Sequence, residues 1–377
     1  MTQEGFSRRK FLRNVAAGST AAALTSLPGA VPATQGGQSP GAPVTVEPYP
    51  IAEPGKAAGT PPRLRIVTVD DLLPKSLEKL RQMAPQVELR RCRDLAELNV
   101  QVKNADAVYG KFDRETLIAG TRLKWIQYLS AGVDGIVSPE LVESPIVLTN
   151  FARVASSAIS ETAIGLLLAL ARGIDRYLRQ TDKRVWLRHN DHVEISGMTM
   201  GIVGMGGIGS AIARRAYYGF DMRILATDAK PLLKPHFVEE LHDPGWFMEM
   251  VPLSDVLVSA VPHTPLTNKM FNEHVFRTMK KTAFFINMSR GKTVDTPALV
   301  RALNEGWIAG AGLDVTHPEP LPAHDPLWSA ARVIITPHAS SVSPRPLPHG
   351  EALFVENVSR YLAGQPLLNV VDKKRGY

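Results

Sequence analysis

The stretch that decides the fold runs from Met198 to Asp228 and reads MTMGIVGMGGIGSAIARRAYYGFDMRILATD. A short apolar strand leads into a G-x-G-x-x-G turn from Gly204 to Gly209, a helix follows, and a second strand ends at Asp228. In such a turn the first glycine permits the tight bend, the second lets backbone approach a pyrophosphate, and the third lets helix and strand pack closely. The order of strand, turn, helix, strand and acid therefore predicts a dinucleotide-binding domain.

The residues around the second strand bear on the choice of cofactor. Asp228 stands where a carboxylate can accept hydrogen bonds from the adenosine ribose hydroxyls, which favours NAD over NADP. Lys230 lies two residues further on and is a cation that could tolerate a 2′-phosphate. By itself the glycine turn is also compatible with an α/β protein that binds no ligand. We expect NAD, with NADP as the second choice.

Length and composition narrow the class of protein. The 377 residues are enough for two domains, and 44% hydrophobic and 21% charged residues are ordinary for a globular protein. The single cysteine, Cys92, excludes a disulfide framework within the chain and a thiolate metal cluster. The net charge is +7, but no long basic run with interleaved aromatic residues is present, so we expect no nucleic-acid binding.

The amino terminus resembles a twin-arginine export signal. Ser7 to Leu12 reads SRRKFL, an apolar stretch follows to Leu27, and Val31-Pro32-Ala33 is a small-residue cleavage pattern. We expect residues 1–33 to be a signal read by the twin-arginine export machinery and residues 34–62 to be a flexible leader rich in Pro, Gly and Ala. The apolar stretch is too short for a stable membrane anchor. The expected location is the periplasm, or the cytoplasm if the signal is inefficient; an arginine pair present by chance is the alternative.

From Arg63 onward, strand-like and helical patterns alternate, which predicts parallel sheets covered by helices. Three prolines, Pro344, Pro346 and Pro348, predict that no regular helix forms in that segment. The predicted strands are Arg63–Val69, Val87–Arg91, Ala105–Tyr109, Trp125–Leu129, Ile146–Leu148, Asp255–Ala260, Ala283–Met288 and Ala309–Val315. The predicted helices are Lys75–Met83, Arg114–Ala119, Ser157–Tyr177, Pro297–Asn304 and Glu351–Leu362.

Three polar segments stand at predicted strand ends, where open α/β sheets bind ligands, and each carries one candidate catalytic residue. Hydride transfer to a 2-keto acid needs a proton for the carbonyl oxygen, which histidine can supply as an imidazolium. A glutamate can orient the imidazole, and an arginine can hold the substrate carboxylate. Each residue taken alone has an alternative interpretation. The arginine could lie at the surface, the glutamate could be a solvated acid, and the histidine could be packed and neutral. The segments are Asn287–Gly291 with Arg290, Leu313–Pro320 with Glu319, and Ile334–Ser340 with His338.

About 310 residues, from Arg63 to the end, resemble the D-isomer-specific 2-hydroxyacid dehydrogenases. The resemblance implies an NAD-dependent enzyme that transfers a hydride between the cofactor and a small 2-hydroxy or 2-keto acid. It leaves the particular acid and the direction of the reaction open. The matching motifs are Ser130–Asp134 (SAGVD), the Gly204–Gly209 turn, Val261–Thr267 (VPHTPLT), Asn287–Gly291 with Val294 and Asp295, Leu313–Pro320 and Thr336–His338.

The same resemblance implies the site residues. Arg290, Glu319 and His338 would be the catalytic group, with Arg290 also binding substrate. Backbone N–H groups around Ala131 and Gly132 would hold the substrate carboxylate. The proline-rich segment Ser343–Pro348 departs from the family pattern; it borders the cleft, and there we expect Arg345 as a further cationic contact. The expected cofactor contacts are Gly204, Gly206, Gly207, Ile208, Gly209, Asp228, Val261, Pro262, Thr267, Met288, Asp314 and His338.

The implied architecture is a Rossmann-type, doubly wound cofactor domain inserted into a flavodoxin-like α/β substrate domain. The cofactor domain would span residues 157–339, and the substrate domain residues 63–156 plus 340–377. The resemblance also implies a homodimer joined through the cofactor domains. No metal site is expected, because His189 and His192 read as a polar connector without a closed ligand set. An NAD-binding sensor or scaffold without turnover is the alternative function.

Overall fold

The structure is a computed structural model that describes residues 63–377. The predicted signal (1–33) and leader (34–62) lie outside the described residues. Within them the chain forms two parallel sheets covered by helices, one of five strands and one of seven. The prediction of an α/β protein with two sheets is confirmed.

The first sheet is built from the amino-terminal part of the described chain. Its strand order is β2-β1-β3-β4-β5, which is the flavodoxin-like order. The strands are β1 (Leu64–Thr68), β2 (Val87–Arg91), β3 (Ala107–Tyr109), β4 (Trp125–Gln127) and β5 (Val147–Thr149). The helices that accompany it are α1 (Pro74–Met83), α2 (Leu95–Gln101), α3 (Arg114–Ala119), α4 (Pro139–Glu143) and, from the other end of the chain, α11 (Pro346–Leu362). This sheet and these helices are called the first lobe.

The second sheet has the order β12-β11-β10-β9-β6-β7-β8. The order reverses between β6 and β9, and this switch point is where doubly wound sheets bind nucleotides. The strands are β6 (Thr199–Val203), β7 (Arg223–Thr227), β8 (Glu240–His242), β9 (Val256–Ser259), β10 (Phe284–Asn287), β11 (Gly310–Leu313) and β12 (Val333–Ile335). The helices are α5 (Ser156–Ala171), α6 (Ile174–Asp182), α7 (Gly207–Phe220), α8 (Phe247–Met250), α9 (Glu273–Thr278) and α10 (Thr296–Asn304). This sheet and these helices are called the second lobe.

Burial on both faces explains why the central strands are continuous apolar runs. Every residue of β6, β9, β10 and β11 is buried, as expected for a parallel sheet with helices on each side. Gly312 lets α5 approach β11 closely, because a Cβ there would lie 2.8 Å from the Cβ of Leu166. In the first lobe, Phe354 of α11 packs on Trp125 and Tyr109, so the chain returns to the sheet where it began.

The prediction of one helix over Ser157–Tyr177 is wrong, because the chain breaks after α5. Gly173 adopts a φ of 63°, in the left-handed region that glycine tolerates, and α6 then leaves at a bend of 74°. No single helix within residues 63–377 is long and apolar enough to cross a membrane; α5 and α6 pass that test only when taken together across their bend.

The expectation that prolines prevent helix formation before Glu351 is also wrong. The last helix, α11, begins at Pro346 and includes Pro348. Both prolines occupy the first turn, where backbone N–H groups have no partner within the helix. A proline there has no N–H and therefore removes no hydrogen bond of the helix. No strand was predicted for the short edge strand β8.

Candidate active site

The glycine turn follows β6 and leads into α7, which begins at Gly207. Gly204 has a φ of 95°, and a Cβ there would lie 2.7 Å from the carbonyl oxygen of Ala260. A Cβ on Gly209 would lie 1.9 Å from the carbonyl oxygen of Gly204, so only glycine allows this packing. By contrast, a Cβ on Gly206 would have no heavy atom within 4 Å, apart from those of Gly206 itself and of its two chain neighbours. That open space fits a pyrophosphate, because free N–H groups and partial positive charge face it at the start of α7.

Asp228 follows β7, and its carboxylate joins the glycine turn to the next loop. One oxygen accepts a hydrogen bond of 2.7 Å from the backbone N–H of Met205, and the other accepts one of 2.7 Å from the backbone N–H of Lys230. The Nζ of Lys230 lies 4.5 Å from the ring centroid of Tyr377. Desolvation lowers the pKa of Lys230, while the charge of Asp228 opposes this change. The acid expected to bind ribose thus lies beside the turn, with an exposed cation two residues away.

The loop after β9 contains three of the predicted cofactor contacts and folds back on itself. The Thr267 hydroxyl donates a 2.7 Å hydrogen bond to the carbonyl oxygen of Pro262 and accepts one of 2.8 Å from the N–H of Thr264. A Cβ built on Gly204 would lie 3.1 Å from a methyl group of Val261. This loop therefore lies next to the glycine turn.

Arg290 is held by a hydrogen-bonded loop at the carboxyl end of β10. The Asn287 side chain accepts a 3.0 Å bond from the N–H of Ser289 and donates a 3.2 Å bond to the carbonyl oxygen of Arg290. The Thr293 hydroxyl donates a second bond, of 2.7 Å, to the same carbonyl oxygen. Met288 is buried beneath the loop, with 4% of its surface exposed. These contacts fix the backbone from which the Arg290 side chain extends.

The loop that carries Arg290 packs directly on the loop that carries Glu319. A Cβ on Gly291 would lie 1.9 Å from the carbonyl group of Thr316, so the two backbones are in contact. One oxygen of Glu319 accepts a 3.0 Å bond from the Thr316 N–H, and the other lies 2.8 Å from Nδ1 of His338. The structure therefore brings an arginine and a glutamate–histidine pair to adjacent strand ends.

Asp314 holds the loop that presents His338. Its buried carboxylate accepts hydrogen bonds from the Thr336 hydroxyl at 2.6 Å and from the N–H groups of Ala339 and Ser340, both at 3.1 Å. The His338 N–H also donates a 2.8 Å bond to the carbonyl oxygen of Asp314. His338 has a φ of 51°, a conformation that costs a non-glycine residue about 1–3 kcal/mol. These bonds stabilise that conformation, so Asp314 positions the histidine.

The first lobe meets this group through the loop Ser130–Asp134, which follows β4. The Asn150 side chain donates a 2.6 Å hydrogen bond to the carbonyl oxygen of Ala131. A Cβ on Gly132 would lie 1.6 Å from Nη2 of Arg290, so the guanidinium lies directly against the glycine backbone. The predicted carboxylate-binding loop and the predicted substrate-binding arginine are therefore in contact.

Two other features singled out in the sequence lie apart from this group. Arg345 is exposed at the residue before α11, and no hydrogen bond or ion pair within residues 63–377 joins its side chain to the other site residues. Nε2 of His192 lies 2.8 Å from the Tyr177 hydroxyl, and Nε2 of His189 lies 2.6 Å from the Gln180 amide nitrogen. In the described part of the chain, no group of three or more His, Cys, Asp or Glu could hold a metal ion.

Sequence reasoning assigned no role to four residues that shape this site. Asp134 and Asn150 stand close after β4 and β5, so the strand-end rule used for Arg290 could have found them. Arg153 has a φ of 70° and packs on the start of α7, where a Cβ on Gly207 would lie 2.6 Å from its Cγ. Tyr377 reaches Lys230 from the far end of the chain. The last two contacts join segments distant in sequence and have no local signal.

An open parallel sheet, a glycine turn at its switch point and an arginine beside a glutamate–histidine pair define a nicotinamide-dependent oxidoreductase. Three comparisons with known proteins make the class specific. The family described as D-isomer specific 2-hydroxyacid dehydrogenase, NAD binding domain, matches residues 164–340. The glyoxylate reductase of Korarchaeum cryptofilum is 37% identical over 289 residues, which are 73% of this chain and 85% of that protein.

Solved structures agree with the sequence comparisons. The D-isomer specific 2-hydroxyacid dehydrogenase of Xanthobacter autotrophicus, in complex with NADPH and MES, aligns with a TM-score of 0.71 and 26% identity over 84% of this chain and 100% of that one. The NADPH-dependent glyoxylate/hydroxypyruvate reductase of Sinorhizobium meliloti, in complex with citrate, aligns with a TM-score of 0.67 and 30% identity over 83% and 98%. The chain belongs to the D-isomer-specific 2-hydroxyacid dehydrogenase family.

Membership confirms the predicted fold class and enzyme class. The protein is an oxidoreductase that transfers a hydride between a nicotinamide cofactor and a small 2-hydroxy or 2-keto acid. The related structures include complexes with NADPH and with NADP, whereas the family that matches is described as an NAD binding domain.

Proposed function

We propose that Arg290, Glu319 and His338 perform the acid–base and substrate-binding steps of this reaction. The observation that carries the proposal is the 2.8 Å contact between Nδ1 of His338 and the carboxylate of Glu319. This contact leaves Nε2 for the substrate. In the reducing direction, Nε2 donates a proton to the carbonyl oxygen as that oxygen gains negative charge, and Glu319 stabilises the imidazolium before transfer. In the oxidising direction, Nε2 takes the hydroxyl proton back.

Arg290 would hold the substrate for that proton transfer. Its guanidinium lies against Gly132, and the backbone N–H groups around Ala131 and Gly132 would bind the same carboxylate from the first lobe. A planar guanidinium can bind a carboxylate through two parallel hydrogen bonds, which fixes both the position and the tilt of the substrate. We propose Arg345 as a more distant cationic contact at the rim.

The cofactor would be held along the second lobe. The pyrophosphate would lie before Gly206, Gly207 and Ile208 at the start of α7, and Asp228 would accept bonds from the adenosine ribose. Val261, Pro262, Thr267, Met288 and Asp314 would border the rest of the dinucleotide, with His338 at the nicotinamide. When bound, the nicotinamide supplies or accepts the hydride. We propose NAD as the preferred cofactor, because the negative charge of Asp228 opposes a 2′-phosphate.

A small substrate is proposed from the relatives. Several are named glyoxylate reductase, and two solved neighbours are glyoxylate/hydroxypyruvate reductases. The test is a panel of 2-keto acids, including glyoxylate, hydroxypyruvate and bulkier acids, with NADH or NADPH, followed by absorbance of the reduced nicotinamide. We expect the highest kcat/KM with glyoxylate or hydroxypyruvate and NADH. Binding of nicotinamide without oxidation by any acid would instead favour a sensor.

Export to the periplasm is proposed from the sequence pattern at Ser7–Leu12 alone. Twin-arginine export carries folded proteins, so a cofactor bound in the cytoplasm could travel with the enzyme. Fractionation of cells that express the full chain tests this, with R8K/R9K as the matched control. Processed protein in the periplasm that disappears in the control is expected, and equal cytoplasmic amounts of both proteins would refute export.

We also propose that residues 157–339 form the cofactor domain, that residues 63–156 plus 340–377 form the substrate domain, and that two copies associate through their cofactor domains. An exposed apolar surface on α6 and the following segment supports the dimer. Trp186 is fully exposed there, and Leu178 is 62% exposed. Light scattering should give a dimer for the natural chain and a monomer for Trp186→Asp; a monomeric natural chain would refute the proposal.

A further inference from the structure

One ion pair joins the two lobes. Oδ1 of Asp134, in the loop after β4, lies 3.2 Å from Nε of Arg290, in the loop after β10. The two residues are 156 positions apart in the sequence. About a third of each side chain is exposed, 29% for Arg290 and 35% for Asp134, so the pair is accessible to solvent and small molecules.

The other nitrogens of Arg290 show what this pair accomplishes. Nη1 donates a 2.8 Å hydrogen bond to the carbonyl oxygen of Ser289, and Nη2 lies against Gly132. Asp134 therefore restrains the guanidinium at Nε, Ser289 restrains it at Nη1, and Nη2 is directed to the loop expected to bind the substrate carboxylate. We propose that Asp134 is a positioning residue that holds Arg290 in its substrate-binding orientation. This inference rests on the proposed role of Arg290.

A contribution to stability alone is a weak explanation for the pair. Ion pairs with this degree of exposure contribute little to folding, because water and salt screen the charges. Orientation of the Arg290 guanidinium is a stronger explanation for the pair. A free arginine side chain has several rotatable bonds, and ordering it when substrate arrives would reduce affinity by about tenfold or somewhat more. Prior ordering by Asp134 removes most of that loss.

A competing explanation makes the opposite prediction. The carboxylate of Asp134 could occupy the place of the substrate carboxylate, and its negative charge could repel the substrate. In that case removal of the carboxylate would lower KM. Positioning predicts that removal raises KM, because the guanidinium then samples other rotamers. The direction of the change in KM therefore separates the two explanations.

The experiment compares Asp134→Ala and Asp134→Asn in the full chain. Asp134→Ala should raise KM for the best 2-keto acid about tenfold, with a smaller change in kcat and no change in the NADH dissociation constant. Asp134→Asn keeps an oxygen that accepts from Nε and should stay within about threefold of the natural KM. Glu140→Ala is the matched control, because it removes the Arg114–Glu140 ion pair of the first lobe and should leave KM unchanged.

Coupling to Arg290 gives the decisive result. In an Arg290→Lys background there is no guanidinium Nε to hold, so Asp134→Ala should add little further change in KM, or in the dissociation constant of the 2-keto acid where turnover is too slow to measure. An additive effect, or a KM that is unchanged or lower in Asp134→Ala, would overturn the proposal. Crystal structures of the natural chain and of Asp134→Ala provide a readout without activity. The guanidinium should lie over Gly132 only in the natural chain. If no 2-keto acid is reduced, the proposed function fails, while these structures still decide whether Asp134 positions Arg290.

Discussion

Replacing Glu319 by glutamine tests the acid–base pair with a minimal change in shape. Glu319 uses one oxygen for the Thr316 N–H and the other for Nδ1 of His338. Glutamine has a single oxygen, so it can accept from only one of these two groups in the same geometry, and it removes the negative charge. The contact of 2.8 Å is charge-assisted when the imidazole is protonated, and such bonds contribute about 1.5–3 kcal/mol. The His338 and Glu319 side chains are 44% and 38% exposed, so solvent reduces this value.

We therefore assign about 1.4 kcal/mol to the charge, which corresponds to a tenfold loss of kcat in Glu319→Gln. His338→Ala removes the proton donor itself and should reduce kcat by about 10²–10⁴-fold. The assay is steady-state oxidation of NADH with saturating 2-keto acid, combined with NADH titration by fluorescence. NADH affinity should change little in either variant, because both keep the glycine turn that would bind the pyrophosphate, and His338 is one of many proposed cofactor contacts. A Glu319→Gln enzyme with at least half the natural kcat would refute the assignment of Glu319.

Three further outcomes are expected. Gly206→Val should fold normally, with Tm nearly unchanged, because the backbone at 206 suits any residue and its Cβ position is open. The valine side chain would occupy the space proposed for the pyrophosphate, so NADH affinity should fall about 100-fold through the loss of two phosphate hydrogen bonds. Arg290→Lys should not restore the activity lost in Arg290→Ala, because a point charge lacks the planar pair of donors; equal kcat/KM for Arg290→Lys and the natural enzyme would contradict this. Hydrogen bonds from Arg176 lower the pKa of Asp191 to about 2. Ionised Asp191 therefore stabilises the fold at pH values above its unfolded pKa near 3.8, and this contribution is lost as the pH falls toward 2. Tm measured from pH 5 to pH 2 should fall less steeply in Asp191→Asn than in the natural chain.

Several elements were predictable because their signals are local. The strand Val87–Arg91 and the helix Arg114–Ala119 have the predicted bounds, and the glycine turn lies at the switch point of the second sheet as expected. Periodicity and glycine placement depend on a few neighbouring residues, so a single sequence carries them. Helix ends were less predictable. The break at Gly173 and the start of α11 at Pro346 were missed, because glycine and proline are each compatible with both the interior or first turn of a helix and its interruption.

The candidate site shows the same division. Arg290, Glu319 and His338 could be singled out because each follows an apolar strand, and the carboxyl ends of parallel strands meet at one edge. The residues that hold these side chains in position could not be assigned in this way. Asp134 reaches Arg290 across 156 positions, and Asp314 engages the loop 336–340 through bonds that exist only when β11 and β12 are paired.

The sequence by itself determined the alternation of strands and helices, the glycine turn and the choice of candidate reacting groups, since these follow from backbone preferences and side-chain chemistry within short segments. Only the tertiary structure decided which way those groups face and what holds them. The orientation of a guanidinium or an imidazole is set by hydrogen bonds and close packing between segments far apart in the chain, and such contacts exist only after both sheets have formed.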